Sequence, residues 1–156
     1  MKELNENDLK EFLNKKNIEY ELLRFEKPVI SSKDAYEQVN GEVIKTILII
    51  CDDKPIICIL KGKDKINFEK LKVLLNCKEV RLAKAKEVRE ITGYDIGSLP
   101  PIGHKTEIKK IVDKKILDLD DNEILYFGGG SHYHLLKIKK KELLKVIENF
   151  EILEIT

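Results

Sequence analysis

Two nearly continuous apolar runs dominate the middle of the chain. Residues 42–51 and 56–60 are rich in isoleucine, valine and leucine, and residues 52–55, which include two aspartates and a proline, separate them. Short β-branched runs bounded by turn residues are typical of buried strands. We therefore predict two strands in the centre of a sheet, joined by a four-residue turn.

Helical spacing of apolar residues recurs through the rest of the chain. Side chains that can cap a helix stand before such segments at Asn5 or Asn7, Ser31 or Ser32, and Asn67. The predicted helices cover about residues 6–16, 32–39, 68–75, 84–92 and 141–149. Alternating or short apolar runs predict further strands at residues 18–25, 80–82, 108–112, 124–127, 132–138 and 150–155.

These elements interleave, and at least one pair of strands is joined by a hairpin. Interleaved helices favour a sheet covered by helices, while a hairpin excludes a purely parallel sheet. A chain of 156 residues buries roughly 70% of its extended-chain surface as one unit. The predicted fold is α+β (mixed α/β): a single domain over residues 1–156, with a mixed, largely antiparallel sheet surrounded by helices.

The charge balance narrows the expected partners. The 29 Lys and Arg residues oppose 28 Asp and Glu, a net charge of +1, so overall charge gives no argument for binding to nucleic acid or to a membrane surface, and we expect neither DNA nor a membrane as a partner. Lysines at positions 137, 139, 140, 141 and 145 are interrupted by acidic residues, and either a solvated surface or phosphate contacts would explain them. Residues 1–6 lack a secretory signal pattern, and no stretch reaches the ~18 uncharged apolar residues of a membrane helix. We expect a soluble, cytoplasmic protein.

Three cysteines lie in apolar runs without the Cys-x-x-Cys spacing of zinc or redox sites. A four-residue turn would place Cys51 near Ile56 and Cys58 near Ile49, which gives these two thiols no reason to pair. Burial is the usual state of free cysteine. We therefore predict that Cys51, Cys58 and Cys77 are buried free thiols.

A loop rich in glycine and proline follows the predicted helix at 84–92. It contains Gly93, Gly97 and Gly103 together with the adjacent Pro100 and Pro101. Glycine lets a backbone approach a ligand closely, and proline fixes its own φ and restricts the residue before it. The loop is therefore predicted to be pre-shaped, with backbone N–H groups available to a ligand.

Lys45 interrupts the first apolar run. A cation within a buried strand must either reach solvent or meet an anion or polar substrate. The long side chain could extend to the surface along apolar neighbours. Position alone leaves both interpretations of Lys45 open.

A second glycine-rich segment, Gly128-Gly129-Gly130-Ser131, lies between two predicted strands. It could form a nest of N–H donors for an oxyanion, phosphate or carboxylate, or it could be a flexible turn. Its spacing matches neither Gly-x-Gly-x-x-Gly nor the P-loop. His132 and His134 would share a strand face and could bind a metal, but few other ligands lie nearby and we predict no metal site.

Three features follow one another along the chain. They are Lys45 in its strand, the motif Gly97-x-x-x-Pro101-x-Gly103 after Thr92-Gly93-Tyr94, and residues 128–131 before an alternating strand. This combination resembles the YbaK/EbsC family. That family includes YbaK-like and ProX-like aminoacyl-tRNA editing proteins and the insertion domain of bacterial prolyl-tRNA synthetases. The resemblance covers about residues 9–153.

The resemblance implies a free-standing deacylase that hydrolyses mischarged tRNA, typically tRNA for proline carrying cysteine or alanine. It implies no metal, no other cofactor and no covalent nucleophile, so that catalysis depends on positioning and electrostatics. By carry-over, Lys45 is the catalytic residue, holding the carbonyl or the terminal ribose and phosphate. The substrate-binding residues would be Phe25, Gly97, Ser98, Leu99, Pro100, Pro101, Gly103, His104, Gly128, Gly129, Gly130 and Ser131.

Three positions depart from the common family pattern. Ser98 stands where many members have a second glycine, Pro100 where they often have Ser or Thr, and Phe25 where YbaK-like proteins have a tyrosine near the site. The amino acid removed and the tRNA recognised are therefore left open. The expected partners are the acceptor end of mischarged tRNA and, for tRNA specificity, a synthetase such as prolyl-tRNA synthetase. The alternative is a non-catalytic module of the same fold that binds a small ligand or tRNA.

Overall fold

Six helices and eight strands form the described part of the chain, residues 3–156 of the computed structural model. The helices are α1 (Glu6–Lys15), α2 (Ser32–Gln38), α3 (Phe68–Leu74), α4 (Ala85–Thr92), α5 (Lys114–Leu117) and α6 (Lys140–Val146). The strands are β1 (Glu21–Arg24), β2 (Glu42–Cys51), β3 (Lys54–Lys61), β4 (Val80–Leu82), β5 (Lys109–Asp113), β6 (Ile124–Gly128), β7 (His134–Lys139) and β8 (Phe150–Leu153).

The eight strands form one mixed sheet, which confirms the predicted fold class. Seven strands follow the order β1-β7-β6-β2-β3-β5-β8, and β4 pairs with β2 outside this path. The pairs β1–β7, β6–β7, β2–β3 and β2–β4 are antiparallel, while β2–β6, β3–β5 and β5–β8 are parallel. As predicted, β2 and β3 lie in the centre of the sheet.

The turn between β2 and β3 is tighter than the sequence suggested. Asp52 and Asp53 both have left-handed backbone conformations, with φ of 46° and 73°, and Lys54 pairs directly with Cys51. Two consecutive positive φ values are typical of a two-residue hairpin turn, whose twist matches that of its strands. The predicted four-residue turn is therefore wrong, and the strand register shifts by two residues.

Three helix starts match predicted caps. The side chains of Asn5, Ser31 and Asn67 accept hydrogen bonds from backbone N–H groups in the first turns of α1, α2 and α3. Such bonds satisfy N–H donors that have no partner inside the helix. The local sequence therefore determined where these helices begin.

The bounds of several elements differ from the prediction by a few residues, and two differences are larger. The four-residue helix α5 is too short to show a periodic pattern, and β7 begins at His134 rather than at His132. Residues 131–133 form a turn, in which the Tyr133 N–H donates to Ser131 Oγ. The predicted shared strand face of His132 and His134 is therefore wrong.

Cys51 and Cys77 form a disulfide, whereas Cys58 is a buried free thiol. The prediction of free thiols is therefore wrong for two of the three cysteines. The pair forms because β4 returns antiparallel to the end of β2, with Val80 opposite Cys51, which brings the preceding Cys77 beside it. This return is a long-range pairing that the local sequence around either cysteine does not show.

Apolar side chains fill both faces of the sheet. Ile57 and Ile59 belong to the larger cluster with α1, while the alternate residues Cys58 and Leu60 belong to a second cluster beneath α3. This alternation is the normal consequence of strand pleating. Within residues 3–156, the helices are all too short or too polar to cross a membrane.

Candidate active site

A cavity of about 310 Å³ opens beside β2 where the sheet is incomplete. On this edge of β2, β6 pairs with Glu42 and Val43, and β4 pairs with residues 49–51. No strand in the described part of the chain pairs with residues 44–48 on that edge. The cavity occupies this gap and is lined by residues 43–48, which belong to both faces of the strand.

Close backbone contacts between chain segments shape the cavity wall. Gly97 and Leu99 of the Gly/Pro loop, Ile30 before α2, and Gly128 at the end of β6 all line it. A Cβ on Gly128 would lie 2.6 Å from the Leu99 carbonyl oxygen, and a Cβ on Gly97 would lie 2.9 Å from the Ile30 carbonyl oxygen. Only glycine allows these segments to pack so closely.

Lys45 lines this cavity without a partner from the protein. Its partly exposed side chain makes no hydrogen bond or ion pair with any residue in the range 3–156. Burial lowers the pKa of the ammonium below its usual 10.5, while Asp64 partly opposes the shift and Lys65 adds to it. Asp64 is itself paired with Lys115 at 3.5 Å. Among the described residues, Lys45 is therefore a cation without a direct hydrogen-bond or ion-pair partner, and a ligand in the cavity could provide one.

The far end of the Gly/Pro loop lies outside the cavity. Gly103 and His104 line a separate groove that also contains Lys110. His104 Nε2 lies 2.7 Å from the Pro100 carbonyl oxygen, and because a carbonyl can only accept, the ring donates this bond from Nε2. Burial lowers the pKa of His104 to about 4. The neutral ring therefore holds the shape of the loop, and the structure does not bring His104 together with Lys45.

The two prolines and Ser98 form the interior of the same loop. Ser98, Pro100 and Pro101 are buried and do not line the cavity. The Ser98 hydroxyl donates to the Asp95 carbonyl oxygen at 3.2 Å. These residues support the loop, while Gly97 and Leu99 form its cavity surface.

The second glycine segment contributes Gly128 to the cavity and uses its other residues in a turn. The Gly129 N–H donates to the His134 carbonyl at 3.1 Å, and the Gly130 N–H donates to the Ser98 carbonyl at 3.0 Å. Ser131 Oγ lies 2.5 Å from His134 Nδ1. These two N–H groups are therefore already bonded, and the Gly130–Ser98 bond ties the two glycine segments together.

Phe25 lies behind the cavity wall. It packs against Val29, Ala35, Val43 and Leu135, and each of these four residues lines the cavity. Phe25 itself does not. Its contribution is to support the wall formed by the segment before α2.

Several lining residues were not singled out from the sequence. They are Ser31, Ser32, Thr46 and Tyr126, together with the exposed aliphatic residues Ile30, Leu82 and Ile96. Only Thr46 carried a local signal, because it directly follows Lys45. The others come from separate segments that meet through long-range packing.

Acidic residues, histidine and cysteine are absent from the described residues that line the cavity. Its chemical groups are one ammonium, several hydroxyls and the main chain of β2. This lining therefore offers neither a carboxylate nor an imidazole as a general base, and no typical metal ligand set. Any chemistry here would depend on a cation, hydrogen-bond donors and groups that the substrate brings.

The histidines are separated in the structure. His132 lies 3.8 Å from Asp95, His134 bonds to Ser131, and His104 bonds to the loop backbone. In the described residues, the side chains that could hold a metal together are Cys51, Asp52 and Cys77. The disulfide occupies both of their sulfur atoms, and the group lies away from the cavity.

Proteins similar to this chain include proline–tRNA ligases. That of Streptococcus gordonii is 38% identical over 107 residues, which cover 66% of this chain and 17% of the ligase. That of Pediococcus pentosaceus is 37% identical over 114 residues, which cover 72% of this chain and 20% of the ligase. The chain thus spans at most about a fifth of the length of these relatives.

A solved structure has the same fold over nearly the whole chain. A protein proposed as a trans-editing enzyme for prolyl tRNA synthetase superposes with a TM-score of 0.84 at 21% identity, covering 97% of this chain and 96% of that one. This likeness shows the fold alone. The family model described as the aminoacyl-tRNA editing domain matches residues 26–146, which contain Lys45 and both glycine segments. The chain therefore belongs to the aminoacyl-tRNA editing domain family.

Proposed function

We propose that this chain hydrolyses the ester bond that joins a wrongly attached amino acid to tRNA. The observation that carries the proposal is the position of Lys45, a cation in a mostly apolar cavity with no partner among residues 3–156. Electrostatic interactions are strong where water is largely excluded, so such a cation binds a polarised carbonyl or an anion effectively. Membership of the editing family supports this chemistry.

In this proposal Lys45 bonds to the substrate, and the two glycine segments hold the substrate in place. The ammonium bonds either the ester carbonyl oxygen or the terminal ribose and phosphate of the tRNA. Gly97, Leu99 and Gly128 form the wall that confines the reacting group. An aminoacyl ester is already activated, so fixed positioning and one cation supply the few kcal/mol that are needed. A water molecule, or a hydroxyl or thiol of the substrate, is the attacking group.

The composition of the cavity favours a reaction without a metal or a covalent enzyme intermediate. Metal-ligating residues and pairs of nucleophile and base are missing from the described lining residues. The hydroxyls of Ser31 and Ser32 have no imidazole beside them in this lining. The proposed deacylation therefore uses substrate groups where hydrolases use a side-chain nucleophile.

The cavity has room for a small amino acid and an apolar wall to contact its side chain. A volume of about 310 Å³ lies at the lower end of the range of typical ligand sites, and aliphatic side chains form most of its lining. We propose cysteine or alanine attached to tRNA for proline as the substrate, because the family resemblance implies these amino acids and the cavity can hold them. Apolar walls discriminate by only about 1–3 kcal/mol per methylene, so selectivity between these two is expected to be modest.

The proposed partner is the acceptor end of tRNA for proline, since the similar ligases act on proline and its tRNA. The loop between β3 and α3 carries Lys63 and Lys65 close to the cavity. Lys65 is close enough to influence the pKa of Lys45, and Lys63 lies 5.4 Å from the centre of the Tyr36 ring. Lysines at such a position can bind the phosphates near the tRNA end. Prolyl-tRNA synthetase remains the proposed source of tRNA specificity.

The lack of a general base in the cavity lining also favours a second candidate, a module that binds an aminoacyl end without hydrolysing it. The two functions differ in a single observable, the release of the amino acid. Tight binding of aminoacyl-tRNA without release above the uncatalysed rate would favour the binding module.

The test is amino-acid release from cysteinyl- and alanyl-tRNA for proline. The wild-type protein is compared with Lys45→Ala and with Lys61→Ala as a matched control. Lys61 lies on β3 opposite Ile44, pairs with Glu42 at 3.8 Å and does not line the cavity. We expect Lys45→Ala to lose about 100-fold in kcat/KM and Lys61→Ala to stay close to wild type. Equal activity of all three proteins would defeat the assignment of Lys45.

A further inference from the structure

The disulfide between Cys51 and Cys77 lies close in the chain to one wall of the cavity. Cys51 is the last residue of β2, and Cys77 precedes the start of β4 by three positions. The strand β4 pairs with the end of β2, and Leu82 and Ala83, at its end and just after it, line the cavity. The Ala83 N–H also donates to the Leu48 carbonyl at 3.0 Å. The disulfide therefore tethers the segment that closes one end of the gap in the sheet.

Few non-covalent contacts hold β4 in place. The strand has three residues, of which Arg81 and Leu82 are exposed, and within the described residues it pairs with β2 alone. Its other anchor is the exposed Arg81, which donates two hydrogen bonds to Glu87 of α4, at 2.8 and 2.9 Å. Segments with few buried apolar contacts open readily. We therefore expect the covalent tether to contribute a large share of the order of β4.

The disulfide lies where a reductant can reach it. Cys51 and Cys77 are largely buried but reach the surface, with exposures of 8% and 7%. The third cysteine, Cys58, is 0% exposed, and burial raises the pKa of its thiol to about 12. Asp52 and Lys78, which directly follow the two bonded cysteines, line an open surface groove. Access and a low thiol pKa both favour thiol exchange, so the bonded pair is the reactive one and Cys58 is not.

Hydrogen bonds around Asp52 keep the two cysteines close even without the covalent bond. The Asp52 carboxylate accepts the N–H groups of Lys78 and Glu79, both at 2.9 Å, and the Asp52 N–H donates to the Glu79 carbonyl at 3.1 Å. These bonds join the segments that follow Cys51 and Cys77. They are exposed to solvent, so they align the two thiols for renewed oxidation without replacing the covalent tether.

We propose that Cys51 and Cys77 form a reversible redox switch that sets the order of the cavity wall at Leu82 and Ala83. The disulfide state holds the wall in the arrangement described above. The dithiol state loosens β4 and lowers the activity of the cavity, a consequence that rests on the proposed function. In the reducing interior of most cells, where aminoacyl-tRNA is found, disulfides are usually transient, catalytic or redox-sensing. The partner is therefore a dithiol reductant and its oxidised form.

Reduction transfers two electrons and two protons from the dithiol to the protein. A thiolate of the dithiol attacks one sulfur atom of the pair, the S–S bond breaks, and the other cysteine leaves as a thiolate that takes up a proton. The second thiolate of the reductant then attacks the mixed disulfide. This step releases the second cysteine, which is protonated in turn, and the reductant leaves as a disulfide. The oxidised dithiol reverses both steps.

The test follows the Ala83 amide by hydrogen exchange in the folded protein, before and after reduction with dithiothreitol. We expect exchange at Ala83 to become at least tenfold faster on reduction, because β4 opens more often. The unfolding temperature should fall by about 10 °C, since the bond closes a loop between residues 26 positions apart. Alkylation under denaturing conditions, read by mass spectrometry, should label Cys58 alone before reduction and all three cysteines after it.

Two variants separate the switch from other effects of the reductant. Cys58→Ala keeps the disulfide and should respond to dithiothreitol as wild type does. The double variant Cys51→Ser/Cys77→Ser cannot form the bond, so its exchange at Ala83 should match that of reduced wild type with or without dithiothreitol. Release of alanine from alanyl-tRNA for proline should fall about tenfold when wild type is reduced. In the double variant it should not respond to the reductant.

Three results would overturn the switch. They are a bond that dithiothreitol reduces only after denaturation, exchange at Ala83 that reduction leaves unchanged, and equal rates of amino-acid release, above the uncatalysed rate, from oxidised and reduced wild type. Faster exchange at Ala83 in a protein that releases no amino acid in either state would support the tether and remove the proposed hydrolysis.

Discussion

The lysines at the two ends of the Gly/Pro loop differ in whether the protein provides hydrogen-bond partners for their ammonium groups. At the cavity end, Lys45 lies beside Gly97 and Leu99 without a partner among the described residues. At the far end, Lys110 is deeply buried, and its ammonium donates to the carbonyls of Ile108 at 3.0 Å and Glu148 at 3.3 Å. Burial alone therefore does not distinguish Lys45 from a structural cation, whereas the lack of a partner among the described residues does.

Two further groups support this distinction. Lys140 is also buried, and its ammonium donates to the carbonyls of Leu117 and Leu119 near the end of α5. His104 is also partnered, by the Pro100 carbonyl, and its lowered pKa leaves the ring neutral near pH 7. Lys110, Lys140 and His104 thus each have a hydrogen-bond partner in the protein. Lys45 has none among the described residues.

The largest expected effect is on stability at the far end of the loop. Lys110→Met should lower the free energy of unfolding by about 3 kcal/mol or more, because it leaves carbonyl acceptors and Glu107 without their cation. Urea unfolding measures this, with the exposed Lys141→Met as control. A loss below about 1 kcal/mol would show that the partners of Lys110 contribute little, and would weaken the comparison.

His104 should make stability depend on pH between about 4 and 6.5. Its pKa is lower in the folded protein than in the unfolded chain, so the unfolded chain binds more protons in this range and stability falls as pH falls. The full shift corresponds to at most about 3 kcal/mol. Urea unfolding at pH 7 and pH 4.5 measures it, and His104→Gln should lack this part of the decline. Identical pH dependence in both proteins would contradict the account of His104.

Gly128→Ala should lower the free energy of unfolding by about 2 kcal/mol, because its Cβ would approach the Leu99 carbonyl oxygen to 2.6 Å at the cavity end of the loop. The two glycine segments would have to move apart. We expect kcat/KM for deacylation to fall at least tenfold, which corresponds to about 1.4 kcal/mol of activation free energy. Wild-type stability and activity in this variant would show that the close contact between the segments is not needed.

The sequence predicted the elements that depend on local signals. Asn5, Ser31 and Asn67 were recognised as caps, and the apolar runs were recognised as the central strands. Lys45 stood out because a charge in such a run requires an explanation. The family likeness then connected it with the two glycine segments, and the family model confirms that likeness.

Features that depend on long-range pairing were not predictable in this way. The gap beside Thr46 exists because β6 and β4 end at different points along one edge of β2. The same return of β4 brings Cys77 to Cys51. His104 follows the cavity loop in sequence, but only the packed structure shows that its ring lies in another groove.

The smallest expected effect is on stability at the cavity end. Burial lowers the pKa of Lys45 in the folded protein. The ammonium is therefore more stable in the unfolded chain than in the folded one, so the charged side chain opposes folding at neutral pH. Lys45→Met should therefore leave the free energy of unfolding unchanged or raise it by up to about 1 kcal/mol. Urea unfolding at pH 7 measures this. A loss as large as that of Lys110→Met would make Lys45 a structural cation.

The most direct test of the central claim measures activity and stability together in Lys45→Met. Unfolding in urea and amino-acid release from alanyl- and cysteinyl-tRNA for proline are recorded on the same preparations of wild type, Lys45→Met and Lys61→Met. The account predicts that Lys45→Met alone loses deacylation by about 100-fold while its free energy of unfolding does not fall. Wild-type activity in Lys45→Met, or a loss of activity that follows a loss of stability, would contradict it.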